Sequence, residues 1–210
     1  MKKTAILAVL ILGLAGTLGT VSAFADDLYS NITSTSYTNT AYTISAYETP
    51  TDSFTLSSTS TINSIILGLW LDSGDTAQSV DWQIVPTPLF YSSNIAEGES
   101  IVISSTPEGS LYGFDMYQVT IGNINVTLGP GTYYLELDNV NTADSGSAQW
   151  DVSNGASSGI ITDTIPFGNP SETFEIDGTT NTVTPEPSSF LLLGSGLAGL
   201  AGLLKRKLAA

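Results

Sequence analysis

The chain contains no cysteine and no histidine, and its five basic residues, Lys2, Lys3, Lys205, Arg206 and Lys207, all lie at its two ends. The first absence excludes disulfides and thiol nucleophiles; the second removes the commonest general base, and together they remove the usual zinc ligands. All twenty carboxylates fall between Asp26 and Glu186, a stretch without one cationic side chain. Such a stretch has no means of neutralising phosphates, which excludes nucleic acid as a partner. Nor can it form an internal salt bridge between side chains. Each of its carboxylates must be solvated, hydrogen-bonded or metal-bound, and its stability must come from an apolar core. The material for one is there: 41% of residues are apolar, with three Trp, nine Tyr and seven Phe.

The N-terminal end reads as an export signal. Lys2 and Lys3 open it, an apolar run follows from Ala5 to Leu18, and Ala23-Phe24-Ala25 places small residues where a signal peptidase reads. Cleavage is expected after Ala25, with the Sec translocon and signal peptidase as partners.

The C-terminal end carries three features in order. Pro185-Glu186-Pro187 is stiff and extended, because each proline fixes its own φ and biases the residue before it. An apolar run from Leu191 to Leu204 follows, then Lys205-Arg206-Lys207, a basic stop that the positive-inside rule places on the cytoplasmic side. The run predicts a transmembrane helix, short for a full span but workable in a thin bilayer.

This tail closely resembles the PEP-CTERM sorting signal of Gram-negative bacteria, also catalogued as the ice-binding-protein C-terminal domain. The resemblance implies processing by an exosortase-like enzyme, transient anchoring in the inner membrane, and delivery to the cell surface or an extracellular, exopolysaccharide-containing matrix. Thr184 stands where the family often has Val. The expected organisation is a signal peptide at residues 1–25, a β-sandwich domain at 26–183 and the sorting tail at 184–210.

Between the ends the apolar pattern alternates at period two, the mark of half-buried strands. Val80, Trp82 and Ile84 alternate with Asp81 and Gln83; Ile124, Val126 and Leu128 with Asn125 and Thr127; Phe174 and Ile176 with Glu175 and Asp177. Ile62 to Leu71 is apolar on both sides, as in a central strand covered twice. Turn residues at 72–75, 86–88, 97–99, 129–131 and 144–146 punctuate the runs. The fold expected is all-β, a two-sheet antiparallel, jelly-roll-like β-sandwich of about eight to ten strands. The body also resembles the sandwich domain common among PEP-CTERM proteins, through Asp52-Ser53-Phe54-Thr55-Leu56, Val80 to Ile84, Gly129 to Leu135, Gln149-Trp150-Asp151 and Glu172 to Ile176. That resemblance implies fold and exported context, not an activity.

Three kinds of site are open to such a composition. A carbohydrate-binding module for exopolysaccharide would stack sugars on exposed aromatics, and Trp150, Tyr134 and Trp82 are the candidates, although Trp82 shares a strand face with Val80 and Ile84. A paired-carboxylate glycoside hydrolase would draw on Asp81, Glu136 or Asp151, none of which lies in a recognisable motif. A calcium site would use Asp72 and Asp75 around their glycine turn. A hydroxylated face from Thr33 to Ser45 suits an ice or surface contact no better than it suits plain solubility. The reading that fits most of these residues is a non-enzymatic surface or matrix protein without a cofactor.

Overall fold

The computed structural model describes residues 26–32, 39–45, 49–88, 93–155, 157, 159–161, 171–181, 193–199 and 205. Residues 1–25 with Ala23 and Ala25, the Pro185-Glu186-Pro187 element, Arg206 and Lys207, and Thr33 to Thr38 lie outside them.

In chain order the strands are β1 (Asp26–Ser30), β2 (Ala41–Thr43), β3 (Pro50–Leu56), β4 (Ser60–Asp72), β5 (Ala77–Val85), β6 (Ala96–Leu111) and β7 (Phe114–Ile121). They continue as β8 (Val126–Leu128), β9 (Gly131–Thr142), β10 (Ala148–Ser153), β11 (Gly159–Ile161), β12 (Ser171–Glu172) and β13 (Phe174–Thr180). All thirteen belong to one antiparallel sheet in the order β1-β13-β4-β7-β6-β5-β9-β3-β11, with β8 and β10 added to β4, and β2 and β12 added to β10. The all-β, antiparallel, two-layered expectation holds, with the two layers continuous as one sheet. The physical reason is the length of β6. Its first part pairs with β5, up to Ile101 opposite Ser79, and its second part pairs with β7 from Val102 onward. One strand therefore serves both layers, and the sheet doubles over along it into a nearly closed barrel.

The core lies inside this wrap. Ile62, Ile65, Leu67, Leu69 and Leu71 of β4 face Val80, Trp82 and Ile84 of β5 and Leu135 and Leu137 of β9, all buried. Each side chain of this size contributes about 1.5–3 kcal/mol on leaving water. Phe54, Tyr133, Phe174, Trp150 and Tyr29 form a linked aromatic group, with Tyr29 to Phe174 at 5.1 Å and Phe54 to Tyr133 at 5.8 Å between ring centres. Tyr29 is on the β1 margin of the sheet and Phe54 lies near the opposite margin; their rings meet at 6.3 Å. Among the described residues no backbone ladder joins β1 to β3, so side chains rather than strand pairing close the barrel there.

Local chemistry explains two departures from the expected pattern. The run Ile124 to Leu128 forms a strand only from Val126, because Asn123 and Asn125 take left-handed φ values of 62° and 52°. Glu97-Gly98-Glu99 is not a turn but the middle of a strand edge on β6: a Cβ on Gly98 would meet the Trp82 ring at 3.2 Å, so the glycine makes room for the indole.

Among the described residues the expected C-terminal transmembrane helix is not found. Residues 193–199 and 205 are helical and, among the described residues, no helix is long and apolar enough to cross a membrane. Even the whole run from Leu191 to Leu204 would rise only about 21 Å as a helix, against a hydrocarbon core of about 30 Å.

Candidate functional site

Without cations, the carboxylates of the body are met by amides and hydroxyls. Glu99 accepts from Ser79 Oγ at 2.6 Å and Asn141 Nδ2 at 3.2 Å, Asp81 from Asn139 Nδ2 at 3.3 Å, and Asp138 from Gln83 Nε2. Glu136 lies on the same outward face of β9, and burial followed by the charge of Asp138 pushes its carboxyl above the usual range. Asp151 is elsewhere, on β10 across the fold, 2% exposed and bonded to Trp70 and Thr173. The three residues considered for a hydrolase therefore do not converge: Asp81 and Glu136 share an outer surface, and Asp151 is enclosed behind it.

The aromatic candidates divide in the same way. Trp150 is 0% exposed and donates its indole N–H to the Thr173 carbonyl at 3.0 Å; Trp82 is 4% exposed and donates to Ser100 Oγ at 2.9 Å. Neither leaves a ring face for a sugar, which corrects the expectation for Trp150 and agrees with the strand face that Trp82 shares with Val80 and Ile84. Trp150 is enclosed because its ring packs into the core against Phe174, and its neighbours Asp151 and Val152 are buried as well, so both faces of β10 are covered. Tyr134 is half-buried on the outward face of β9, opposite Ser53 and Val85.

Asp72 and Asp75 are occupied as well. The Asp75 carboxylate accepts from the backbone amides of Thr76 (2.7 Å), Asp144 (3.0 Å) and Gly146 (3.1 Å), and Asp72 accepts from Ser147 N at 2.8 Å. A hydrogen bond from Thr142 and those amides hold the Asp75 carboxyl below the ordinary range. These two acids pin the turn between β9 and β10, and among the described residues no group of three or more carboxylates gathers as a metal site.

The most distinctive cluster was not singled out from the sequence. At the seam where the barrel closes, Asn31, Asp52, Ser153, Ser157, Ser171 and Glu172 come together from four separate stretches of chain. Asp52 Oδ1 accepts from Ser53 N at 2.6 Å; Oδ2 accepts from Glu172 N at 2.8 Å, Ser157 Oγ at 2.7 Å, Ser171 Oγ at 3.3 Å and Asn31 Nδ2 at 3.4 Å. Asn31 Oδ1 is held by Phe174 N at 2.7 Å, which turns its amide nitrogen toward Ser157 Oγ (2.8 Å), Ser171 Oγ (2.7 Å) and the Glu172 carbonyl. The Tyr29 hydroxyl borders the group, within hydrogen-bonding reach of Ser157 and Asn31.

Asp52 is 0% and Glu172 1% exposed, and their carboxyl groups share a hydrogen bond. Burial pushes Asp52 up to about 6 against the pull of its hydrogen bonds; burial, and then the charge of Asp52, pushes Glu172 well above the carboxylate range. Glu172 Oε2 is buried with no hydrogen-bond partner. An orphaned buried oxygen costs on the order of 1–3 kcal/mol.

The fold and the cluster together define an acidic all-β domain closed by side chains and followed, after Asn181, by a short C-terminal module. That module, residues 183–207, matches the family model of the PEP-CTERM protein-sorting motif, so the chain carries this motif as its tail resemblance implied. No curated protein matches the chain.

Proposed function

We propose that this chain is an exported, non-enzymatic surface or matrix protein delivered through exosortase-type processing of its tail. The observation that carries the reading is the sorting-motif match at residues 183–207, which starts two residues after Asn181, where the described body ends. The motif supports recognition by an exosortase-like enzyme of a Gram-negative exporter. A non-catalytic role is supported by a body with no His, Cys, Lys or Arg, in which Asp151 is enclosed against Trp70 and Asp81 is held by Asn139. Surface delivery explains the rest of the composition, since a strongly anionic, Ser- and Thr-rich exterior stays soluble among anionic polymers.

The test is expression of the full chain in a host with an exosortase and in the same host lacking it. Intact-mass measurement is expected to find the tail removed only in the first, with the product in the surface or extracellular fraction. Replacing Pro185, Glu186 and Pro187 together by Ala is expected to abolish that difference. Identical masses and fractions in both hosts would overturn the proposal.

A further inference from the structure

We infer that the buried Asp52–Glu172 pair, with the hydroxyls around it, is a binding site for one calcium ion. The donor set is all oxygen: two carboxylates, the hydroxyls of Ser153, Ser157 and Ser171, and the Glu172 carbonyl. A hard cation with six to eight oxygen ligands and flexible geometry suits such a set; magnesium, which dehydrates reluctantly and keeps several waters, does not suit an enclosed one. No nitrogen or sulfur ligand for zinc exists anywhere in the chain.

Three observations point to a missing positive charge rather than to a satisfied polar core. Glu172 Oε2 is fully enclosed and has no partner, although it belongs to a cluster rich in hydroxyls. The Asn31 amide nitrogen has only two hydrogens for four neighbouring oxygens, from Asp52, Ser157, Ser171 and Glu172, so it does not serve them all. Finally, the body contains no Lys, Arg or His. Two touching buried carboxylates would ordinarily be offset by such a group; here a shared proton or a cation from solution must do it, and the cation neutralises both acids at neutral pH.

Asn31 sets the affinity. Its nitrogen edge faces the oxygens because Phe174 N holds its Oδ1. A bound cation displaces that edge, which weakens binding. Asn31→Asp keeps the acceptor for Phe174 N and offers a second oxygen inward in place of the nitrogen. The site lies at the barrel seam, so an ion held there ties β3 to β12 beside the β1 margin.

The experiment is calcium titration of the chelator-treated full chain at neutral pH by calorimetry, with melting curves in calcium and in chelator. One ion per chain and a melting temperature raised by several degrees are expected. Glu172→Gln, which preserves shape and removes the charge, is expected to bind at least about tenfold more weakly, as is Asp52→Asn. Asn31→Asp is expected to bind more tightly than wild type, and Glu97→Gln on the outer face to bind as wild type. Coincident melting curves with no heat of binding would overturn the inference. So would a shift that magnesium reproduces and Glu172→Gln retains, because that pattern is general screening of an acidic body.

Discussion

Trp70 donates its indole N–H to Asp151 Oδ1 at 2.8 Å, joining β4 to β10 on the face turned away from the main core. Thr173 Oγ1 reaches the other carboxylate oxygen at 2.8 Å, and burial outweighs both bonds, pushing Asp151 up to about 6. The folded state therefore holds a proton on Asp151 more tightly than the unfolded chain does. That stabilisation is complete below the ordinary Asp value near 3.8 and is lost as pH rises through about 6. Asp52 and Asp177 are pushed up to about 6 as well, chiefly by burial, so their contributions have the same sign. The urea midpoint in chelator is expected to rise as pH falls from 7 to 5, opposite to the usual acid response. Asp151→Asn should flatten that slope by an amount on the order of 2 kcal/mol.

Replacing the enclosed indoles tests their structural role against a binding role. Trp150→Ala removes a ring that is 0% exposed and in contact with Phe174 at 5.6 Å. The expected loss is about 3–5 kcal/mol, seen as a lower urea midpoint without any ligand present. A Trp150→Ala protein with an unchanged urea midpoint would contradict the packing described.

The Asp75 turn should respond to substitution and ignore chelation. Asp75→Ala removes the acceptor for Thr76, Asp144 and Gly146 N–H. Hydrogen exchange at Asp144 and Gly146 is expected to accelerate, while chelator added to wild type leaves exchange at those two amides unchanged.

At Gly178 a Cβ would run into the backbone carbonyl of Thr61, on the neighbouring strand. Gly178→Ala is expected to lose about 1–3 kcal/mol by forcing β13 and β4 apart. Gly129→Ala, where a Cβ meets nothing within 4 Å, is the matched control and should remain near wild type.

Period-two alternation revealed much of the fold because it reports which side chains share a face. Val80 and Ile84 at 0%, and Phe174 and Ile176 at 0% exposure, are the alternating sets read from the sequence. Alternation is silent when both faces are covered, which is why Trp150 looked open. It also says nothing about how a sheet closes: Leu111 to Phe114 turns through Tyr112 and Gly113, both at positive φ (53° and 90°), and so brings β7 back along β6. The seam cluster was hidden for a related reason. Asp52 and Glu172 are 120 residues apart, and each reads as an ordinary outward acid on its own strand. Only the meeting of the sheet's two margins turns them inward. The tail, by contrast, is local in sequence, and its three ordered features needed no tertiary structure to be recognised.

Asp26 lies opposite Gly178 in the pairing of β1 with β13, so the first strand starts where the last one finishes. Residues 1–25 and the tail thus attach at one corner, and trimming either leaves the inter-strand ladders of the described residues intact. The same adjacency makes the body a candidate for circular permutation: a short peptide from Asn181 to Asp26 would join the ends, and a break in the exposed β6–β7 hairpin at Tyr112 and Gly113 would supply new ones.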